Sequence, residues 1–239
     1  MIYEERGIRP LSFVNYSIMS ITIWDYTVRD PLNMIGMAAG ICYGSDVSDP
    51  EKNKKRAIDC IEANHGRVME WPDVYCTVDE YSARCLREAM RHIVGTSTLQ
   101  ASTRYIKYDN FDLVSNVNNE DHQKLFDECR DYLRETYNNL IEAGVSKEDA
   151  ANVLPLGMTS KMVWKINLRA LIHFMSKRKC TRAYKEIRKM CKDICTELSN
   201  YSEDWKYIVD NYFLIDCERL GYCPEAKSCG YIPKKGEKA

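Results

Sequence analysis

Residues 91–105, RHIVGTSTLQASTRY, combine a helix end at Arg91-His92 with a polar loop that supplies Gln, Ser, Thr and Arg side chains. A guanidinium fork offers planar donors to a phosphate or a pyrimidine carbonyl, and Ser and Thr hydroxyls add neutral donors to the same group. The alternative is a helix end whose basic residues only complement the helix dipole. Residues 167–188, NLRALIHFMSKRKCTRAYKEIR, favour the binding site, because Arg169 and His173 are four residues apart and share one helix face.

The pattern outward from these two stretches predicts more helices than strands. Apolar periodicity predicts helices over 33–43, 51–64, 79–93, 120–143 and 167–178, another from about 182, and strands over 74–78 and 158–166. Residues 103–106 are expected to be extended after Gly95 breaks the preceding helix, and Ser146 is expected to cap a short helix that Pro155 stops. Without repeats or Gly/Ser linkers, the chain is expected to form one mixed α+β domain over residues 1–239.

Two of the predicted helices carry apolar stripes, the pattern of a helix face that packs on a core. In the helix over 79–93 the stripe consists of Ser82, Leu86, Ala89, Met90 and Ile93. In the helix over 120–143 it consists of Phe126, Cys129, Leu133, Tyr137, Leu140 and Ile141, and Gly144 is placed to end the helix. His122 in the same helix is expected on the helix surface.

Composition excludes several classes of protein. Lys and Arg (34) almost balance Asp and Glu (35), and this net charge of -1 argues against binding to a nucleic-acid polymer. No apolar stretch approaches the ~18 residues of a membrane span, and we expect no membrane association. The eleven cysteines are scattered and odd in number, and the N-terminus has no basic region before an apolar run, so we expect a reducing cytoplasm.

The order of the motifs resembles the flavin-dependent thymidylate synthases, the ThyX family. That family's signature is Arg-His-Arg, a short spacer and Ser-x-Arg-Tyr, and here Arg91-His92-Ile93 is followed after eight residues by Ser102-Thr103-Arg104-Tyr105. AAGICYGS (38–45) and HGRVME (65–70) resemble two further family segments. The resemblance covers about residues 36–190 and continues through Leu154-Pro155-Leu156, Asn167-x-Arg169, His173-Phe174, Arg178 and Ala183-x-x-Glu186-Ile187.

The resemblance implies a fold and an activity. Family members have helices packed around a central antiparallel sheet and form homotetramers whose sites lie between subunits. They transfer the methylene of methylenetetrahydrofolate to C5 of dUMP, giving dTMP, with reduced FAD as the hydride donor and NADPH as the reductant. The redox chemistry belongs to the flavin, so no protein nucleophile is required.

The same resemblance implies roles for individual residues. The residues expected to contact FAD are His65, Glu70, Arg91, His92, Ile93, Asn167, Arg169 and His173. The residues expected to hold the nucleotide are Glu88, Gln100, Ser102, Thr103, Arg104 and Arg178. Ser102 and Arg178 are assigned to catalysis, where Arg178 would complete a neighbouring subunit's pocket and stabilise charge drawn toward the uracil carbonyls.

Departures from the family pattern leave the acceptor open. Ile93 replaces the third residue of Arg-His-Arg, Glu88 stands in place of Gln, Ala151 in place of Arg, and Gln100 in place of the usual loop Glu. Two guanidinium groups are missing and one carboxylate is gained at Glu88, so a phosphate site should be weaker unless other groups compensate. The alternatives are a C5 methylase or hydroxymethylase of another pyrimidine nucleotide or nucleoside, and a catalytically silent homologue. Glu88 could also simply pair with Arg84 or Arg91 on a helix surface.

The cysteines suggest two further possibilities, both less favoured. A catalytic cysteine thiolate would indicate a covalent route, as in the unrelated classical thymidylate synthases, instead of the flavin route. Cys180 is the one cysteine that lies in the arginine-rich segments near a histidine. The tail, residues 217–239, contains Cys217, Cys223 and Cys229, but this spacing is wrong for a zinc knuckle and supplies only three ligands. We therefore expect no metal and a tail that packs on the protein or a partner.

Overall fold

The computed structural model describes residues 19–115 and 117–236. Its sheet contains the strands β1 (Ser20–Ile23), β2 (Asp73–Ser82), β3 (Thr96–Gln100) and β4 (Thr159–Asn167). The strand order is β1-β2-β4-β3, and each neighbouring pair is antiparallel. This arrangement confirms the expected α+β class with helices around a central antiparallel sheet.

The helices follow the predicted segments closely. Their bounds are α1 Pro31–Cys42, α2 Pro50–Glu62, α3 Ala83–Met90, α4 Glu120–Glu142, α5 Lys147–Ala150, α6 Leu168–Arg178, α7 Lys185–Tyr201, α8 Glu203–Tyr212 and α9 Asp216–Leu220, with 3₁₀ turns at Gly66–Glu70 and Ala151–Val153. Both predicted caps are present: the side chain of Ser146 accepts the N–H of Asp149, and that of Asn167 accepts the N–H of Ala170. The strand β1 and the helices α8 and α9 were not predicted.

The expectation of extended chain at 103–106 is wrong. The strand lies earlier, at β3, and residues 103–105 form a turn. The polar run of β3 pairs with the buried β4, with Thr96 opposite Ile166 and Gln100 opposite Met162. The strand β3 therefore forms where its polar run, which includes two β-branched threonines, can pair with the neighbouring strand β4.

The apolar stripe predicted over 79–93 is only partly buried. Leu86 and Ala89 are fully buried, but α3 ends at Met90, and Ile93 is 79% exposed beyond it. The strand β2 in turn extends to Ser82, further than predicted, through an irregularity where Glu80 has φ +60°. The helix thus begins and ends inside the predicted range, which leaves Ile93 outside the core.

Buried residues of β2, β4, α3, α6 and α7 form the main core. Trp164 and Phe174 meet edge to face, with ring centroids 5.0 Å apart. The carboxylate of Glu186 on α7 is also buried and accepts the N–H and the hydroxyl of Ser82, at 2.6 and 2.7 Å. These two bonds fix the start of α3 against α7.

The long helix α4 packs on a second, smaller cluster through its C-terminal half. Tyr137 is fully buried there, whereas Phe126 and Cys129 of the predicted stripe are exposed, and so is His122, as expected. Phe126 and Cys129 instead line an open apolar groove with Leu113. Among the described residues, no helix has the length and apolar character needed to cross a membrane.

Candidate functional site

The junction between β4 and α6 positions one group of predicted residues. Asn167 caps α6 through its side chain, and its backbone N–H donates to the carbonyl of Gly95 at 2.9 Å. Gly95 has φ +73°, and a Cβ there would lie 2.5 Å from the Asn167 amide. Glycine is therefore required at this position for both the backbone conformation and the close approach.

A salt bridge next to this junction joins Arg169 to Glu70, with 2.6 Å between Nη1 and Oε1. Gly66 lies beneath the guanidinium, because a Cβ there would come within 2.7 Å of the Arg169 Cζ atom. His65 precedes this turn and is exposed. The side chain of Arg169 is 56% exposed despite the ion pair, so its remaining N–H groups face solvent. The fold thus gathers predicted cofactor residues from 65–70 and 167–169.

His92 connects two faces of α6. Its ring centroid lies 5.7 Å from that of His173 and 5.0 Å from that of Phe174, and its Nε2 accepts a hydrogen bond of 3.0 Å from Nε of Arg178. Arg178 follows Arg169 by nine residues, which is about two and a half helical turns. The two side chains therefore leave α6 on opposite sides.

Its surroundings keep the His92 imidazole neutral. Burial, the Arg178 guanidinium and His173 together lower the pKa of His92 from 6.5 to about 4. Because Nε2 accepts from Arg178, the neutral ring must carry its proton on Nδ1. His92 therefore presents a single N–H donor on the side away from Arg178.

Glu88 neutralises the cations that the sequence assigned to the site. Its carboxylate lies 3.1 Å from Nη1 of Arg178 and 3.2 Å from Nη1 of Arg91. The predicted pairing with Arg91 is thus present, whereas Arg84 stacks over the Tyr184 ring at 4.6 Å. The bond to Arg178, 90 residues away along the chain, could not be expected from helix spacing.

The loop predicted to hold the nucleotide lies at the other end of β3. The amide of Gln100 donates to Ser160 at 3.3 Å, and the Ser102 hydroxyl accepts the N–H of Arg104 at 3.2 Å. Arg104 pairs with Glu148 at 3.1 Å. Five residues of strand separate Gln100 from Gly95, which corresponds to about 17 Å. Within a single subunit, this loop therefore lies apart from the residues around His92.

The structure thus sorts the predicted residues into three places. His65, Glu70, Asn167 and Arg169 lie at the start of α6, and Arg91, His92, His173, Glu88 and Arg178 lie between α3 and α6. Gln100, Ser102, Thr103 and Arg104 lie in the loop after β3. Ile93 has its side chain in solvent next to the second group.

Three residues near the site had no predicted role. Gly66 and Glu148 support Arg169 and Arg104 respectively, and Phe174 packs on His92. The motif around His65 includes Gly66, and Phe174 follows His173, so the sequence does mark these two. Nothing in the local pattern marks Glu148, which is 44 residues from Arg104.

The cysteines of the described chain are all free thiols. Within residues 19–115 and 117–236, no group of three or more His, Cys, Asp or Glu side chains is arranged to hold a metal ion.

Comparison with known proteins agrees with the motifs. A protein-family model described as thymidylate synthase complementing protein matches residues 22–201. The flavin-dependent thymidylate synthase of Pyrococcus abyssi is 28% identical over 225 residues, which cover 87% of this chain and 90% of that protein. That of Thermococcus kodakarensis is 30% identical over 185 residues, which cover 73% and 74%.

Two solved structures share the fold. ThyX from Helicobacter pylori, complexed with FAD and dUMP, has a TM-score of 0.67 at 19% identity, covering 81% of this chain and 99% of that one. PolB, a UMP/dUMP methylase from Streptomyces cacaoi bound with 5-Br dUMP, has a TM-score of 0.66 at 20% identity, covering 83% and 97%. At these identities the likeness establishes the architecture.

Proposed function

Because this chain belongs to the thymidylate synthase complementing protein family, Thy1, we propose that it is a FAD-dependent enzyme that methylates C5 of dUMP. The one-carbon unit would come from methylenetetrahydrofolate, reduced flavin would donate the hydride, NADPH would reduce the flavin, and the product would be dTMP. The observation that carries this proposal is the position of His92, which touches His173 on the cofactor side and Arg178 on the acceptor side.

The residues at the start of α6, together with Arg91 at the end of α3, fit an anionic dinucleotide cofactor. Arg169 and Arg91 have side chains that are 56% and 62% exposed, each with one carboxylate partner and free N–H groups. Asn167 and Gly95 approach so closely that backbone and amide groups can line a flat ligand without intervening side chains. FAD, when bound, supplies hydride transfer, while these residues bind the diphosphate and orient the ring system.

Arg178 and His92 form the acceptor side of the proposed site. A guanidinium hydrogen-bonded to a uracil carbonyl draws charge away from the ring and makes C5 more nucleophilic. The contact with His92 and the ion pair with Glu88 hold Arg178 in place before substrate arrives. The neutral His92 ring adds no second positive charge beside Arg178, so the guanidinium does not have to overcome like-charge repulsion.

The position of the Ser102–Arg104 loop is compatible with a site shared between subunits. The loop follows the far end of β3, about 17 Å along the strand from Gly95 and the residues around His92. In a homotetramer, the loop of one subunit would hold the phosphate while Arg178 of another contacts the base. Ser102, assigned to catalysis, would act from this loop.

A second candidate acceptor is favoured by Glu88. Its carboxylate forms ion pairs with both Arg91 and Arg178, and Ala151 in the 3₁₀ turn supplies no additional positive charge. The ligands proposed for these two guanidinium groups would have to compete with Glu88 for them. The alternative is a flavin-dependent C5 methylase or hydroxymethylase of another pyrimidine nucleotide or nucleoside, and the PolB fold neighbour is named as a methylase of both UMP and dUMP.

Two measurements test the proposal. Visible absorption of the purified protein should show flavin bands, or should show them after FAD is added. Tritium release from C5-labelled dUMP, UMP, deoxycytidine monophosphate and deoxyuridine should then identify the acceptor. A colourless protein that binds no added FAD would contradict both catalytic candidates and leave a catalytically silent homologue.

A further inference from the structure

The described part of the C-terminal tail, residues 217–236, packs together with Asp216 on the end of α6 and on the connection between α6 and α7. Asp216 forms a salt bridge with Lys177, and Arg182 pairs with Glu225 at 2.9 Å and donates to the carbonyl of Lys227 at 3.0 Å. This tail lies outside the residues that the family model matches.

Four thiols converge where the tail meets this connection. Cys180, Cys217, Cys223 and Cys229 all line one cavity of about 390 Å³. Cys217 is buried, Cys180 and Cys223 are partly buried, and Cys229 is exposed. Three of these cysteines come from the tail and one from the connection, so the cavity brings Cys180 together with thiols at least 37 residues further along the chain.

Cys229 differs from its neighbours in its contacts. The Thr181 side chain and the backbone N–H of Tyr231 hydrogen-bond to its sulfur and lower the pKa of this thiol, and Arg182 adds to the effect. Burial raises the pKa of Cys217 instead. Cys229 is also the exposed thiol of this cluster, so an electrophile can reach it, and because the thiolate is the reactive form it is the thiol best suited to attack.

We infer that Cys229 and Cys180 form a redox-active thiol pair that closes to a disulfide and fastens the tail to the α6–α7 connection. Cys180 is the chain neighbour of Thr181, so its Cα lies about 3.8 Å from that of the residue that contacts Cys229. The tail around Cys229 has no helix or strand and turns at Gly230, whose φ is +86°. Both cysteines line the same cavity and both lie outside helices and strands, so closing the disulfide would break no regular structure.

The reaction balances with a peroxide as the oxidant. The Cys229 thiolate attacks one peroxide oxygen, the O–O bond breaks, and a sulfenic acid and hydroxide form. The Cys180 thiol then attacks the sulfenic sulfur, the S–O bond breaks, and water leaves. In sum, two thiols lose two electrons and two protons, and hydrogen peroxide is reduced to two waters.

The position of the disulfide gives it a consequence for the site. Cys180 follows Arg178 by two residues, so a bond at Cys180 would restrain the segment that carries the proposed acceptor arginine. This consequence rests on the proposed function, whereas formation of the bond does not. The two can therefore fail separately.

Peptide mapping of the full chain tests the thiol pair. The protein is treated with a small excess of hydrogen peroxide, alkylated without reductant, digested and analysed by mass spectrometry. We expect a peptide that joins Cys180 to Cys229, and we expect Cys229→Ser to abolish it. Before oxidation, Cys229 should react with iodoacetamide at pH 7 at least tenfold faster than Cys129. Cys42→Ser and Cys129→Ser are the matched controls, since both thiols are exposed but lie in apolar grooves elsewhere.

Several outcomes would overturn the inference. A disulfide that joins Cys229 to Cys217 or Cys223 would show that Cys180 is not the partner. If iodoacetamide alkylated Cys229 no faster than Cys129, Cys229 would not be an activated thiol. Stoichiometric zinc in the purified protein, with all four thiols protected until a chelator is added, would make the cluster a metal site. A mapped disulfide with unchanged C5 tritium release would retain the thiol pair and refute only its effect on the acceptor site.

Discussion

Replacement of His92 by Gln should remove a specific part of the protein's acid sensitivity. The imidazole accepts a hydrogen bond from Arg178 and is neutral in the folded protein, because burial, Arg178 and His173 lower its pKa to about 4. An amide oxygen at the same position can still accept from Arg178 but cannot be protonated. The variant therefore changes the titration while keeping the main contact.

The size of this pH effect follows from the difference between the pKa of His92 in the folded and in the unfolded protein. In the unfolded chain the pKa of His92 returns to about 6.5, so between pH 6.5 and 4 the unfolded state binds more protons than the folded one. Stability conferred by the neutral ring is thus present above pH 6.5 and is lost as the pH falls toward 4. At ~1.4 kcal/mol per tenfold difference in proton affinity the full value is about 3 kcal/mol, and partial solvent screening of this half-buried ring reduces it to about 1.5 kcal/mol.

Urea unfolding at pH 7.0, 6.0, 5.0 and 4.5 measures this effect. The free energy of unfolding of the natural protein should fall by about 1 kcal/mol more than that of His92→Gln over this range, because pH 4.5 still lies above the folded pKa of about 4. The matched control is His122→Gln, since His122 is exposed on α4 and remote from Arg178. A difference between natural protein and His92→Gln that stays constant with pH would refute the assignment of a neutral, buried imidazole.

Four further predictions concern the site and its support. Arg169→Ala should lower the flavin released per protein with little change in Tm, because Arg169 is exposed and contributes no core packing. Arg178→Ala should abolish tritium release from C5 while leaving FAD bound, and Arg178→Lys should rescue poorly because an ammonium lacks the planar donor fork. The double change Glu88→Gln with Ala151→Arg should tighten dUMP binding at least tenfold, or by ~1.4 kcal/mol, as measured by calorimetry. Deoxyuridine is the phosphate-free control. Equal dUMP affinities of the natural protein and the double variant would show that other residues complete the phosphate site. Glu186→Ala should reduce the free energy of unfolding by about 2 to 5 kcal/mol in urea titration, because it leaves buried donors of Ser82 unpaired, and a loss below 1 kcal/mol would contradict that role.

Local sequence patterns determined most of the helices and the identity of the family. The caps at Ser146 and Asn167 and the apolar periodicity of α4 and α6 act within a few residues, so their effects can be inferred without knowing the rest of the fold. The ordered motifs at 91–105 and 167–188 were sufficient to indicate the flavin-dependent thymidylate synthase family. The candidate residues within 167–178 also follow from these motifs, because short sequence spacing puts them on one helix.

Tertiary structure alone decided how the separate groups meet. The strand β3 forms because a polar run finds β4 as its neighbour, and no property of the run itself requires it. The pairing of Glu88 with Arg178 joins α3 to α6, and the convergence of Cys180 with the tail cysteines depends on how the chain end packs. Each of these contacts links residues far apart in sequence, and their distance is set by packing of the core between them. Local propensity does not determine that distance, so these features of the site could be seen only in the folded chain.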